Sequence, residues 1–149
     1  MKKIILSFAI SAALLSSVAT YAADKKPNVT VKQAFIKEFA QVKEVEWTTV
    51  GNEGIYEAKF TFNNENLQAF FTEEGEFLGT TRQITKSQLP IIVVTELEKQ
   101  YAGARVATIF EYSKKDGLSY YITLITDKGS KVIKATGNGE LTVYKKNAE

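Results

Sequence analysis

The sequence predicts an α+β fold in which a helix followed by a four-stranded antiparallel meander occurs twice in tandem. Three observations carry this expectation. Apolar residues recur at helical spacing in two short segments, Val31 to Phe39 and Pro90 to Tyr101. After each segment the period switches to two. Clusters of Gly, Asn and Asp divide each alternating region into four runs of strand length.

Helix one lies in VTVKQAFIKEFAQV, where Val31, Ala34, Phe35 and Phe39 share a face between lysines and glutamates, and Thr30 can serve as N-cap. The runs KEVEWTTV, IYEAKFTF, NLQAFFT and EFLGTTRQI then alternate, separated by Gly51 to Gly54, Asn63 to Asn66 and a tip at Glu73-Glu74-Gly75. Helix two opens at Ser87-Gln88-Leu89-Pro90, with Ser87 as a candidate N-cap and Pro90 in the first turn, and stops at Gly103. Its strands are RVATIFEY, SYYITLIT, KVIKAT and ELTVYKK, with turns at Lys114 to Gly117, Asp127 to Gly129 and Gly137 to Gly139.

The two halves align. Phe39-Ala40 meets Tyr101-Ala102 at an offset of 62, and Tyr56, Phe60 and Gly75-Glu76-Phe77 meet Tyr120, Leu124 and Gly139-Glu140-Leu141 at an offset of 64. A two-residue insertion in the first strand or its turn reconciles these. The expected boundaries are 31–86 for the first repeat and 87–147 for the second. Units this small bury little apolar surface alone, so the copies are expected to share a core or a continuous sheet.

Ahead of the repeats, Lys2 and Lys3 precede an apolar run from Ile4 to Leu15 and a small-residue stretch ending at Ala22-Ala23. This is the pattern of a signal peptide over 1–22, cleaved near Ala22 or Ala23 and followed by a flexible lead over 23–30. The run is shorter than the roughly 20 residues a membrane span requires. A periplasmic or secreted protein is expected, and the absence of cysteine after the run argues against a lipid anchor.

Removal of the signal changes the charge. Lys2 and Lys3 are two of the 19 basic residues, whereas all 17 acidic residues lie at or beyond Asp24, so the remainder is neutral. The sequence pI near 8.6 therefore carries no argument for nucleic acid. The chain has neither Cys nor His. That removes cysteine nucleophiles, Ser-His-Asp triads, histidine acid/base chemistry and ordinary zinc or copper sites.

Phe39, Val45-Glu46-Trp47, Tyr56-Glu57-Ala58-Lys59-Phe60, Ala69-Phe70-Phe71 with Gly75, Leu89-Pro90 and Tyr101 together resemble the PepSY-like proteins of the beta-lactamase-inhibitor-like (BLIP-like) fold. One position departs: proline often follows the phenylalanine that closes the first helix in that family, and here it is Ala40. The resemblance implies two helix-plus-sheet units whose sheets join into a curved surface with the helices on one side. It also implies, by analogy, a module that binds or inhibits a protein.

The strand faces opposite the helices are where a partner would sit. Alternation puts Glu57, Lys59 and Thr61 on that face of the second strand, a polar surface, and adds Phe70, Tyr121, Ile125 and Tyr144 as candidate partner-binding residues. The competing explanation buries these four between the units or uses them to stiffen the sheet. Trp47 shares a strand face with Val45 and is expected in the core. In FTEEGEF, Glu73 and Glu74 have no counterpart in the second half, where Gly137 and Asn138 stand instead. The acids lack the spacing of a calcium loop.

The expected function is a non-enzymatic binding or inhibitory module whose sheet face engages a protein or peptide, with no cofactor, no metal and no nucleic acid. The alternative is a small-molecule or lipid carrier, which requires an enclosed apolar cavity. A hydrolase working through Glu and Tyr is a third possibility.

Overall fold

The computed structural model describes residues 26–51 and 54–147, with side chains through Lys145. The signal peptide expected over 1–22 lies outside these residues, as does the start of the lead. The chain divides into two compact units, one ending at Thr80 and the other beginning at Thr81.

The first unit contains helix α1 (Val29–Glu38) and strands β1 (Glu46–Val50), β2 (Ile55–Phe62), β3 (Glu65–Thr72) and β4 (Phe77–Ile84), the last running past the unit boundary. The second contains α2 (Ile91–Gln100), β5 (Arg105–Lys114), β6 (Gly117–Thr126), β7 (Gly129–Thr136) and β8 (Leu141–Asn147). The fold is α+β, with eight antiparallel strands ordered in the sheet as they are in the chain. The second half of β4 clusters with the second unit, six residues ahead of the boundary expected at residue 86.

Helix α1 starts two residues earlier than periodicity predicts, because Asn28 and not Thr30 is its N-cap. The Val31 N–H donates to Asn28 Oδ1 at 2.9 Å, so the lead ends at residue 28. Before α2, a 3-10 turn (Lys86–Gln88) occupies the segment assigned to the helix start, and Ser87 lies inside it. Thr85 opens that turn: its N–H donates to Gln88 Oε1 at 2.9 Å and its carbonyl accepts from the Gln88 N–H at 3.0 Å. Pro90 then takes the N-cap position of α2, where its missing N–H costs nothing.

Each helix buries one face on the strands of its own unit. In the first, Val31 and Phe35 pack on Tyr56, Ala58 and Phe60 of β2 and on Ala69 and Phe71 of β3. Phe35 is the hub, with its ring centroid 5.2 Å from Phe39, 5.4 Å from Trp47 and 5.2 Å from Phe60. Trp47 thus belongs to the core, as its strand face predicts. In the second unit, Val93 and Leu97 meet Ile109, Tyr120, Ile122, Leu124, Ile133 and Ala135. One core is aromatic and the other aliphatic, although the helices have equal length.

Two hairpin tips fix the helices. At the β3–β4 tip the Gly75 N–H donates to the Thr72 carbonyl at 2.9 Å and the Thr72 N–H to the Glu76 carbonyl at 3.0 Å. At the β7–β8 tip the Gly139 N–H donates to Thr136 and the Thr136 N–H to Glu140, both at 3.0 Å. In each tip the threonine hydroxyl also accepts from the glutamate N–H, at 3.2 Å. Gly75 has φ +82°, and a Cβ there would lie 3.0 Å from Thr30 Cγ2 and 3.2 Å from its carbonyl oxygen. Gly139 has φ +90°, and its Cβ would lie 2.7 Å from Ile92 Cγ1. Both glycines therefore admit a left-handed turn and a close approach to the first turn of a helix. Asn28 ties the first tip further, since its Nδ2 donates to the Glu73 carbonyl at 2.9 Å.

At the β2–β3 turn Asn63 and Asn64 both adopt positive φ, 48° and 66°, the conformation of a tight two-residue hairpin.

Thermal melts test these contacts. Gly75→Ala is expected to cost about 1–3 kcal/mol and Gly139→Ala about 2–4 kcal/mol, from backbone strain plus overpacking. Gly137→Ala, where no atom stands within 4 Å, should be nearly neutral; equal melting points for all three would remove the assigned role of the glycines. Asn28→Ala should lose about 1–2 kcal/mol with the cap, and Asn28→Asp less, because a carboxylate keeps the acceptor and lacks only the donor. An unshifted melt for Asn28→Ala would overturn the capping assignment.

Candidate functional site

The helix-free face of the second unit follows from strand register. Phe110 pairs with Tyr121 and Tyr121 with Lys134. One step along, Thr108 pairs with Thr123 and Thr123 with Val132, and beyond them Arg105 pairs with Ile125 and Ile125 with Ser130. Successive rows on one face of a sheet are about 7 Å apart. All these side chains point away from Ile109, Ile122 and Ile133, which face α2.

β8 completes the face through a bulge. Val132 pairs with Lys145, but Ile133 pairs with Val143, which leaves Tyr144 as the extra residue. Simple alternation would send Lys145 to the helix side, whereas the bulge brings Tyr144 and Lys145 to the same face. The Tyr144 ring meets Tyr121 edge to face, with centroids 5.2 Å apart and planes at 85°, and Tyr112 meets Tyr121 at 6.5 Å. Thr108 Oγ1 donates to Thr123 Oγ1 at 3.0 Å in the next row.

Of the four residues predicted to face a partner, the structure brings Tyr121 and Tyr144 into contact and places Ile125 on the same face. Ile125 is 37% exposed and Tyr144 is half-buried. Tyr121 is corrected: it retains only 5% of its exposure, because the rings of Tyr112 and Tyr144 flank it. Its ring supports the face and is not itself available.

Phe70, in the first unit, is also corrected. It lies away from α1 as alternation requires, yet it is 0% exposed. Its cross-strand neighbour Glu57 is 9% exposed, and Ile55 on the same face is fully buried, so the solvated polar surface expected on β2 is absent at this end of the strand. Glu57 accepts a hydrogen bond from Thr48 Oγ1 at 2.8 Å and lies 3.5 Å from Lys59 Nζ. Those partners offset the desolvation of its carboxylate beside a phenyl ring.

Burial also sets the phenols. Desolvation pushes the Tyr112 hydroxyl up to about 12, with the neighbouring Tyr121 as a second contribution. Tyr120, on the α2 side, is likewise raised by burial and by Glu111, while Arg82 opposes the shift. Glu111 is held by Arg82, Nε to Oε1 at 2.8 Å.

Glu73 and Glu74 are exposed at the tip, and the contact made there by Glu73 uses its backbone carbonyl. Among the described residues no three His, Cys, Asp or Glu side chains converge as a metal site would require. No described helix is long and apolar enough to cross a membrane. In the second unit a partly open pocket of about 350 Å³ lies beside the end of α2, lined by Leu97, Tyr101, Val106 and Leu124 and by the Lys86–Glu98 ion pair.

Three cations on the helix-free face escape the sequence prediction: Arg105, Lys134 and Lys145. The signal that finds them is charge counted by unit. From Asp24 to Thr80 there are six basic and ten acidic residues, and from Thr81 to Glu149 eleven basic and seven acidic, so a neutral chain divides into −4 and +4.

A DUF2874 family protein from Bacteroides ovatus superposes with a TM-score of 0.70 at 20% identity, over 82% of this chain and 87% of that one. A BLIP-like protein from Bacteroides fragilis gives 0.68 at 19% identity, over 83% and 88%. The chain shares the BLIP-like fold. A protein from Bacteroides eggerthii, described as a candidate periplasmic protein, gives 0.67 at 17% identity, over 81% and 88%. No family model and no curated protein matches the sequence. At these identities the likeness to the BLIP-like protein is one of fold.

Alkaline titration tests the packing of the face. A folded-state value raised above the ordinary phenol value near 10 means that the buried neutral form contributes stability below about pH 10, which is lost as pH rises toward 12. The near-ultraviolet phenolate signal should therefore show a delayed component. Tyr112→Phe should remove part of it and leave the share due to Tyr120; an unchanged late component would place Tyr112 in water.

Proposed function

We propose that this chain is an exported, non-enzymatic module that binds a protein or peptide across the helix-free face of its sheet, with the second unit as the main contact. The observation that carries the proposal is the bulge at Tyr144. It gathers an aromatic ring and a cation on the face that also carries Ile125 and that no helix of that unit covers. An aromatic residue braced by a neighbouring ring binds at low entropic cost, as in protein interfaces generally.

Export is supported by the basic and apolar N-terminus, with cleavage near Ala22 or Ala23, and by the candidate periplasmic description of the Bacteroides eggerthii neighbour. The tandem-repeat origin is supported by the two hairpin tips, whose hydrogen bonds match at an offset of 64. The PepSY-like assignment rests on the motifs around Trp47, Phe60 and Phe71. A carrier would favour an enclosed apolar cavity, and the described pocket, partly open with an ion pair in its wall, gives that alternative less support.

Tyr121 and Phe70 are unsuitable test positions, because truncating a buried ring costs about 3–5 kcal/mol and tests folding. The variant Tyr144→Ser/Ile125→Ser changes residues at the surface. Capture from a periplasmic extract should yield a partner with the wild type that the variant, with a comparable melting point, fails to retain. The same captured proteins with both would remove this face as the binding site.

A further inference from the structure

On the helix-free face of the second unit, three cations lack a carboxylate partner among the described residues. Arg105 and Lys145 are exposed, and Lys134 is half-buried. The described acids of this unit have other places. Glu111 faces α2 in its pair with Arg82, Glu96 pairs with Lys99 at 2.7 Å, and Glu98 with Lys86 at 3.0 Å. Asp116 sits 3.6 Å from Lys114 beyond the end of β5, while Asp127 and Glu140 occupy turns.

The face also carries the hydroxyls of Thr108, Ser119, Thr123, Ser130, Thr136 and Thr142. Thr108, Thr136 and Thr142 already donate, to Thr123 Oγ1, Asn138 Oδ1 and the Lys134 carbonyl, so the cations are what attract a carboxylate to this surface. Lys134 and Lys145 stand on adjacent strands, one row apart, so their Cα atoms are separated by about 8 Å. Alternate side chains of an extended chain are about 7 Å apart on one side. Two acidic residues at i and i+2 can thus reach both lysines, while an apolar residue nearby meets Tyr144.

We infer that this face binds an extended protein segment rich in acidic residues, with Lys134, Lys145 and Arg105 taking carboxylates and Tyr144 and Ile125 each meeting a different apolar side chain of the segment. The inference rests on the proposed binding role of the face and specifies the chemistry of the partner. Charge complementarity selects the occupant: Arg105, Lys134 and Lys145, with no carboxylate partner among the described residues, repel basic segments and stay unpaired against a neutral one.

The test uses the mature chain and a fluorescent peptide of about nine residues alternating Glu with Leu and Tyr, compared with its Gln-for-Glu counterpart. Anisotropy should show the Glu peptide binding at least about tenfold more tightly than the Gln peptide, with affinity falling as salt rises. Lys134→Glu/Lys145→Glu should abolish that preference and retain the wild-type melting point, while Lys99→Glu on α2 should preserve it. Equal affinity for the two peptides, or an unaltered preference in Lys134→Glu/Lys145→Glu, would overturn the inference. So would equal displacement by a single-stranded oligonucleotide, which would mark the face as a general polyanion site. A dimer in sedimentation that is lost on charge reversal would identify a second copy as the occupant, also overturning it. If the double lysine variant still captures a partner that Tyr144→Ser/Ile125→Ser loses, the binding role stands and only the acidic chemistry fails.

Discussion

In each unit the meeting of a hairpin tip with the first turn of a helix is the contact on which the rest depends. Gly75 against Thr30, and Gly139 against Ile92, allow backbone to approach helix at distances that a methyl group would block. The tip fixes where the helix begins, and the helix fixes which side of the strands becomes core. A ten-residue helix is too short to be stable by itself in water, so it requires both this anchor and the apolar stripe that the strands cover.

That arrangement leaves the opposite strand face with a different task. In the first unit, Ile55, Glu57 and Phe70 are buried there, with the Glu57 carboxylate satisfied by Thr48 and Lys59. In the second unit the same side holds tyrosines, hydroxyls and the cations Arg105, Lys134 and Lys145, and the described carboxylates lie in turns or on the helix side. The two units therefore share a construction and differ in surface chemistry. An aromatic core in one and an aliphatic core in the other shows the same freedom: the packing needs volume and shape at Phe35 or Leu97, and several side chains supply them.

Much of this was legible in advance, for reasons that can be located. The strands were legible because alternation is a local property, and turns such as Asn63-Asn64 because asparagine tolerates positive φ. The N-cap of α1 was not, because Asn28 and Thr30 are both competent and the choice depends on the Glu73 carbonyl, distant in sequence. Tyr144 was placed correctly by alternation, yet Lys145 beside it was missed. A bulge adds one residue with no composition signal of its own, and it reverses the face of everything after it. The burial of Tyr121 escaped for a related reason: alternation gives the side of the sheet and says nothing about which neighbouring rings fold over it.

By itself the sequence determined the α+β class, the order of helix and strands, the two glycine tips and the exclusion of cysteine and histidine chemistry. These depend on periodicity, on residues with special backbone freedom and on composition, all of which act within a few positions along the chain. Only the tertiary structure decided which phenols are desolvated, that the bulge brings Lys145 to the face that holds Tyr144, and that Arg105, Lys134 and Lys145 share that face without a carboxylate partner among the described residues. Those properties belong to pairs of residues on neighbouring strands, and strand register is set when the sheet assembles around its helix.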